Sequence, residues 1–180
     1  MMKTTEILIA GFGGQGILFS GKFLAYKGLL EDLQVSWLHS YGPEMRGGTA
    51  NCNVILSDTP VGSPIITSPA VLIAMNLPSL EKYVNSVVSG GQIYVDSSLI
   101  DSKVERDDVE VFYIPATQMA KENGIGSLAN MIIVGHLLEN HPELSFSGVE
   151  DVVEKLVPPK KAALKELNMK ALNLGKDYKG

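Results

Sequence analysis

The chain has 180 residues, a formal net charge of −5 and a single cysteine. The acidic balance counts against nonspecific nucleic-acid binding, and one thiol excludes an intrachain disulfide and an iron–sulfur cluster held by this chain alone. No apolar run approaches the roughly 18–20 residues of a membrane span, and the N-terminus lacks the features of a secretory signal. We therefore expect one cytoplasmic domain over residues 1–180, without nucleic-acid or membrane partners.

The first third of the sequence predicts a strand, a helix and a second strand. Residues 7–10 are a short apolar run, typical of a buried parallel strand, and glycines follow directly. Apolar residues at helical spacing extend from Ile17 to Leu30, and residues 35–39 complete a βαβ unit. Residues 49–57 also favour a strand, and the turn-rich stretch after them indicates a hairpin or an irregular excursion.

The remaining sequence alternates strand and helix patterns. Strands are predicted at residues 71–75, 91–96 and 109–114, with helices after the first and the third. Ser127 is expected to cap a longer helix that runs through Leu138, and a C-terminal helix is expected over about residues 160–178. This alternation predicts a single-domain, three-layer α/β protein with a mostly parallel, Rossmann-like sheet.

The turn after the first strand matches the pattern G-x-G-x-x-G. Glycines there allow close backbone approach to a pyrophosphate, and the following helix presents free N–H groups. A dinucleotide-binding domain usually has a carboxylate at the end of its second strand, but this sequence reads His39-Ser40-Tyr41 there. The motif therefore fits either an anion-binding loop or a tight strand-to-helix turn without a ligand. Its candidate residues are Gly11, Gly13, Gly14, Gln15 and Gly16.

A second unusual segment follows the second predicted strand. Between residues 40 and 52 it contains a Gly-Pro turn, Glu44, Arg46 and the pair Gly47-Gly48. Glu44 and Arg46 suit either a local ion pair or a contact with another subunit. In an open α/β sheet, ligands and partners gather at the carboxyl ends of the strands. Both unusual segments are expected at that edge.

Cysteine and histidine patterns offer little catalytic chemistry. Cys52 lies within a predicted strand, where a free cysteine usually behaves as a small buried hydrophobe. His39, His136 and His141 lack metal-ligand spacing with one another. We expect no metal site and no catalytic residue in this chain. His136 is expected to be a structural histidine of the core.

The segments GFGGQGILFSGKFLA and SYGPEMRGGTANCNVILS together resemble the gamma subunit of 2-oxoacid:ferredoxin oxidoreductases. The resemblance covers nearly the whole chain except its last helix. The string PEMRGGTANC is most similar to 2-oxoglutarate-type gamma subunits, with close variants in branched-chain enzymes.

The resemblance implies an enzyme that oxidatively decarboxylates a 2-oxoacid to an acyl-CoA and reduces ferredoxin. Thiamine diphosphate, magnesium and iron–sulfur clusters are then expected on alpha and beta partner subunits, with a delta subunit as a further candidate. Coenzyme A is the cosubstrate, and this chain is expected to bind no cofactor by itself. Gly11, Gly13, Gly14, Gln15, Gly16, Arg46 and Gly47 become candidates for coenzyme A binding or subunit docking.

Two alternatives remain open from the sequence. One is an NAD- or FAD-dependent enzyme, and the other is a stand-alone nucleotide- or CoA-binding module. Under the subunit hypothesis the isolated chain is expected to be inactive, with self-association through its apolar surface as an open question.

Overall fold

A computed structural model describes residues 4–40 and 49–180 of the chain. The strands are β1 (Thr4–Phe12), β2 (Gln34–His39), β3 (Thr49–Ser57), β4 (Val71–Ala74), β5 (Gln92–Asp96) and β6 (Glu110–Ile114). The helices are α1 (Ile17–Leu30), α2 (Leu77–Tyr83), α3 (Ala116–Glu122), α4 (Ala129–Asn140), α5 (Val149–Leu156) and α6 (Ala162–Asp177). Short 3₁₀ turns follow α2 and precede α6.

The strands form one sheet in the order β2-β3-β1-β4-β5-β6. β1, β4, β5 and β6 are mutually parallel, whereas β3 is antiparallel to both of its neighbours. The predicted mostly parallel α/β sheet is confirmed. The simple βαβ arrangement is wrong in one respect, because β3 lies between β1 and β2. β3 follows β2 closely in the chain, and such neighbours usually pair as an antiparallel hairpin.

Helices cover both faces of the sheet, which gives the three predicted layers. Ile7 and Ile9 of β1 pack into a core beneath α1, α4, α5 and α6, whereas Leu8 packs into a smaller core beneath α2. This alternation follows from the two-residue period of a strand. In the described ranges, no helix combines the length and apolar character needed to cross a membrane.

The C-terminal helix α6 packs extensively on α4 within the larger core. Gly135 and Gly175 lie at this crossing, where a Cβ on Gly135 would meet the Leu172 backbone and one on Gly175 would meet the Ile132 carbonyl. The two helix backbones therefore approach more closely than side chains would allow. His136 is buried beside the crossing, with its Nδ1 3.0 Å from the Gly175 carbonyl oxygen, which agrees with a structural role.

The start of α4 differs from the prediction. Leu128, not Ser127, is the residue that precedes the first turn, and no side chain caps the helix there. The Leu128 N–H donates to the Ile125 carbonyl at 2.8 Å. A backbone turn therefore sets this boundary, and the expected serine cap is wrong.

Candidate functional site

The carboxyl edge of the sheet brings the glycine motif close to the described residues on either side of positions 41–48. Phe12, at the end of β1, pairs with Thr49 at the start of β3. His39 pairs with Cys52, and the Ser40 N–H donates to the Asn51 carbonyl at 3.0 Å. The glycine motif and both residues that flank positions 41–48 thus share one edge. Arg46 and Gly47 lie outside the described residues.

The glycines of the motif have different structural roles. Gly11 belongs to β1, and Gly13 and Gly14 form the turn that follows it. Gly14 has φ 95° and Gly16 has φ 76°, a left-handed conformation that favours glycine. A Cβ on Gly16 would also meet the buried Asn130 side chain at 2.5 Å, whereas the space beside Gly14 is open. Gly16 is therefore required for packing, while Gly14 faces outward.

Gln15 folds its side chain back into the crevice between β1 and β4. Its Oε1 accepts a hydrogen bond from the Phe12 N–H at 2.6 Å, and its Nε2 donates to the Met75 carbonyl at 2.9 Å. A Cβ on Gly11 would lie 2.6 Å from the Gln15 Oε1, so glycine at position 11 makes room for the amide. Gln15 therefore links the ends of two neighbouring strands and fixes the turn.

This crevice is also the point at which the chain changes direction across the sheet. From β1 the chain crosses towards β2 on one side, and from β4 it crosses towards β5 on the other. Open α/β sheets usually bind ligands at such a switch point. Here the Gln15 amide occupies the space between the two strand ends.

A shallow cavity of about 260 Å³ opens beside the glycine turn. Its described lining consists of glycines and apolar residues, namely Phe12, Gly13, Gly14, Gly16, Ile17, Leu18, Phe19 and Ala50. No charged side chain is among them. Phe12 is 39% exposed at the rim. The cavity suits an apolar group better than a bare phosphate.

Among the described residues of this site, the first turn of α1 supplies an anion-binding feature. Gly16 precedes the helix, and no side chain caps it. The first N–H groups of a helix lack intrahelical partners and carry a partial positive charge. The described part of the site therefore combines an apolar cavity with a helix N-terminus.

The position of β3 weakens the dinucleotide-binding alternative. In that fold the second strand neighbours the first, so a carboxylate at its end reaches the ribose. In this chain β3 separates β1 from β2, which places the end of β2 about 5 Å farther from the glycine turn. His39 and Ser40 at that end also supply no carboxylate.

Sequence reasoning missed two buried polar residues, Asp96 and Asn130, but placed Asn76 at the entry of the helix after residues 71–75, where the structure has it. Asp96 accepts hydrogen bonds from the Thr117 hydroxyl at 2.6 Å and from the Ser98 N–H at 3.1 Å. Asn76 caps α2 by accepting from the Ser79 N–H at 2.9 Å. Asn130 donates to the Gly16 carbonyl at 3.1 Å. The signal for Asp96 was present, because Asp96 ends a predicted strand.

Cys52 is fully buried and lies against α1. Its thiol donates to the Ile17 carbonyl at 3.4 Å, and Gly21 packs directly against the sulfur. Burial raises the pKa of the Cys52 thiol to about 12. A reactive cysteine needs exposure and a stabilised thiolate, so the structure supports the expected packing role.

The Cys52 environment predicts slow thiol chemistry in the folded protein. At pH 8 the native chain is expected to react with a chromogenic disulfide reagent at least about 100-fold more slowly than the chain unfolded in guanidinium chloride, because the buried thiol is protonated and inaccessible. Rapid stoichiometric labelling of the native protein would show that this thiol is exposed.

The described ranges contain no cluster of three or more His, Cys, Asp or Glu side chains arranged to hold a metal ion. His136 instead sits among aromatic rings, with its ring centroid 5.4 Å from that of Phe112 and 5.7 Å from that of Tyr178. Burial lowers the pKa of His136 below its ordinary value, which favours the neutral ring in the core.

Subunits of 2-oxoacid oxidoreductases are similar to the chain over nearly its whole length. A subunit of 2-oxoglutarate synthase, KorC from Methanothermobacter marburgensis, is 36% identical, and the match covers 96% of this chain and 95% of that protein. The ketoisovalerate oxidoreductase subunit VorA from the same organism is 34% identical over 98% of this chain. The chain spans only 37% of the length of VorA.

Solved structures of oxidoreductase chains share the fold of this chain. The gamma subunit of a keto/oxoacid ferredoxin oxidoreductase from Geobacter sulfurreducens superposes with a TM-score of 0.82 and 29% identity, covering 96% of both chains. A 2-oxoglutarate:ferredoxin oxidoreductase from Magnetococcus marinus gives a TM-score of 0.86 at 26% identity. That match covers 98% of this chain and 31% of the other.

A family model described as pyruvate ferredoxin/flavodoxin oxidoreductase matches residues 6–178. This range includes the glycine turn, the Gln15 crevice and the α4–α6 crossing. The chain therefore belongs to the pyruvate ferredoxin/flavodoxin oxidoreductase family.

Proposed function

We propose that this chain is the gamma-type subunit of a multi-subunit 2-oxoacid:ferredoxin oxidoreductase, with 2-oxoglutarate as the substrate. The observation that carries the proposal is the end-to-end match with the 2-oxoglutarate synthase subunit KorC. The gamma subunit from Geobacter sulfurreducens supports the same assignment, because it shares this fold and the match covers 96% of its length.

The proposal assigns the redox chemistry to partner subunits. A single buried cysteine does not supply the ligands of an iron–sulfur cluster. We infer that thiamine diphosphate, magnesium and the clusters reside on alpha and beta subunits, with delta as a further candidate, and that ferredoxin meets the assembly there. A lone cysteine without a disulfide partner also suits the reducing cytoplasm, where we place the complex.

We assign contacts with the other subunits to the carboxyl edge of the sheet around the glycine turn. Its apolar cavity favours docking against a partner subunit, because burial of apolar surface drives most protein association. The uncapped first turn of α1 favours an adjacent phosphate group, such as those of coenzyme A. We infer that the turn of Gly13 and Gly14 lies where a partner subunit and the cosubstrate approach each other.

Arg46 is the cationic residue of positions 41–48, the sequence segment between Ser40 and Thr49. Replacing Arg46 with alanine is expected either to raise the coenzyme A KM about tenfold or to release the chain from the complex, since an arginine anchors phosphates and carboxylates bidentately. Steady-state kinetics and size-exclusion chromatography separate the two results. The control is Lys160→Ala in the exposed turn before α6. An Arg46 variant that matches this control in both assays would remove Arg46 from the site.

The assignment is tested by assembly. Co-expression with the thiamine-dependent and ferredoxin-like subunits of a 2-oxoacid:ferredoxin oxidoreductase from the same organism is expected to yield one complex that contains all of them. If the chain elutes alone while those subunits assemble without it, the subunit proposal fails.

A stand-alone CoA-binding module is the second candidate, and the free N-terminus of α1 beside a cavity favours it. Calorimetric titration of the isolated chain with coenzyme A distinguishes the two candidates. Micromolar binding without any partner supports the module, whereas the subunit proposal predicts weak or undetectable binding.

A further inference from the structure

The outermost strand β2 lacks the features that usually protect a sheet edge. Within the described residues β2 pairs only with β3. Natural edge strands usually carry lysine, proline or a bulge, which discourage pairing with another chain. The six residues of β2 read Gln-Val-Ser-Trp-Leu-His and include no lysine, arginine, carboxylate or proline.

The hydrogen-bond phase of β2 shows which backbone groups face outward. The Ser40 N–H donates to the Asn51 carbonyl, so Ser36 and Leu38 point their backbone groups towards β3. Along a strand, successive residues alternate between directing their backbone N–H and C=O groups at the paired strand and directing them away from it. Val35 and Trp37 are the alternate residues. Their N–H and C=O groups therefore point to the outer edge of the sheet.

Apolar side chains surround this outer edge. Trp37 is 36% exposed and Leu38 is 41% exposed on the two faces of β2. Leu29 of α1 is 54% exposed, and Tyr26 precedes it by one turn. Together Tyr26, Leu29, Trp37 and Leu38 are here called the β2 edge patch.

The orientation of α1 places Tyr26 and Leu29 over β2. Gly21 and Gly28 face the sheet, since a Cβ on either would meet β2 and β3 side chains. Ser20, on one flank of the helix, bonds to Asn130 of α4. At 100° per residue, Tyr26 and Leu29 lie on the opposite flank, which is the flank nearest the outer strand.

We propose that a second copy of this chain pairs with β2 in antiparallel orientation and joins the two sheets across a two-fold axis. With Ser36 on the axis, Val35 of each copy lies opposite Trp37 of the other. The outward backbone groups then pair with one another, and the two edge patches meet. A two-fold axis makes such an interface self-complementary.

The charges beside the patch favour a second copy over an unrelated partner. Asp32 follows α1 at the end of the patch near Gln34, and its neighbour Glu31 is already paired with Lys27 of the same helix. Lys22 lies at the other end, directly after Gly21, which packs against Trp37. Antiparallel pairing brings Asp32 of one copy towards Lys22 of the other at both ends of the interface, which is expected to add specificity and association rate.

Sedimentation equilibrium of the full-length chain tests this inference. The wild type is expected to show twice its 19.4 kDa mass, and Leu38→Lys is expected to weaken the dimer at least tenfold without loss of circular dichroism. Lys22→Glu is expected to weaken it also, with a reduced dependence on salt. Leu99→Lys, at a leucine after β5 that is 48% exposed, serves as the matched control and is expected to remain dimeric.

A monomeric wild type at all concentrations would overturn the inference, as would Leu38→Lys and Lys22→Glu dimers as tight as those of the Leu99→Lys control. Neither outcome bears on the proposed function. A monomer that still completes an active oxidoreductase would overturn the dimer and leave the subunit assignment in place.

Discussion

Replacing Gly175 with alanine is expected to destabilise the chain by about 3 kcal/mol, at the upper end of the usual cost of overpacking. The added Cβ would collide with the Ile132 carbonyl and would lie 2.8 Å from the His136 backbone nitrogen. Backbone atoms of a packed helix cannot rotate away, so α4 and α6 must separate. The melting temperature of the chain should fall by about 6–12 °C.

Gly126→Ala is the matched control for this prediction. Gly126 lies in the turn before α4, and no atom lies within 4 Å of the position its Cβ would take. The control is expected to melt within about 2 °C of the wild type. Equal melting temperatures for the two variants would show that α4 and α6 do not pack closely through Gly175.

Replacing Gln15 with alanine is expected to loosen the glycine turn and to lower the activity of the assembled enzyme. The substitution removes both side-chain hydrogen bonds, the exposed one to the Phe12 N–H and the part-buried one to the Met75 carbonyl. The expected cost is about 2 kcal/mol. Gln15→Glu should cost as much, because a carboxylate oxygen would then face the Met75 carbonyl.

Gln118→Ala provides the comparison, since Gln118 is a glutamine that bonds to Glu122 on the exposed surface of α3. Thermal melting and the coenzyme A KM should be measured on all three variants. The account predicts that both Gln15 variants lower stability and raise KM, while Gln118→Ala changes neither. If Gln15→Ala behaves like Gln118→Ala, Gln15 does not fix the turn.

The α/β class follows from local patterns, but the strand order does not. Short apolar runs followed by glycine or asparagine identified β1 and β4 as buried strands. The strand propensity of residues 49–57 likewise indicated a strand at β3. Nothing in these patterns tells whether β3 pairs outside β2 or between β2 and β1, because that choice depends on the burial of both strand faces in the assembled sheet.

Only part of the candidate site could be predicted from the sequence, because the rest depends on contacts that form in the assembled fold. The left-handed conformations of Gly14 and Gly16 agree with the glycine pattern. The inward fold of Gln15 was not predictable, because it depends on the Met75 carbonyl, which lies 60 residues away in the chain. The close contact through Gly175 was equally hidden, since an isolated glycine in a helical sequence shows nothing about the helix that crosses it.

The most direct test of the central proposal is anaerobic reduction of a low-potential dye by the partner subunits, with and without this chain, using 2-oxoglutarate and coenzyme A. The proposal predicts that activity requires the chain and that pyruvate and branched-chain 2-oxoacids are poor substrates. Full activity of the partner subunits in its absence would contradict its role as a subunit of the enzyme.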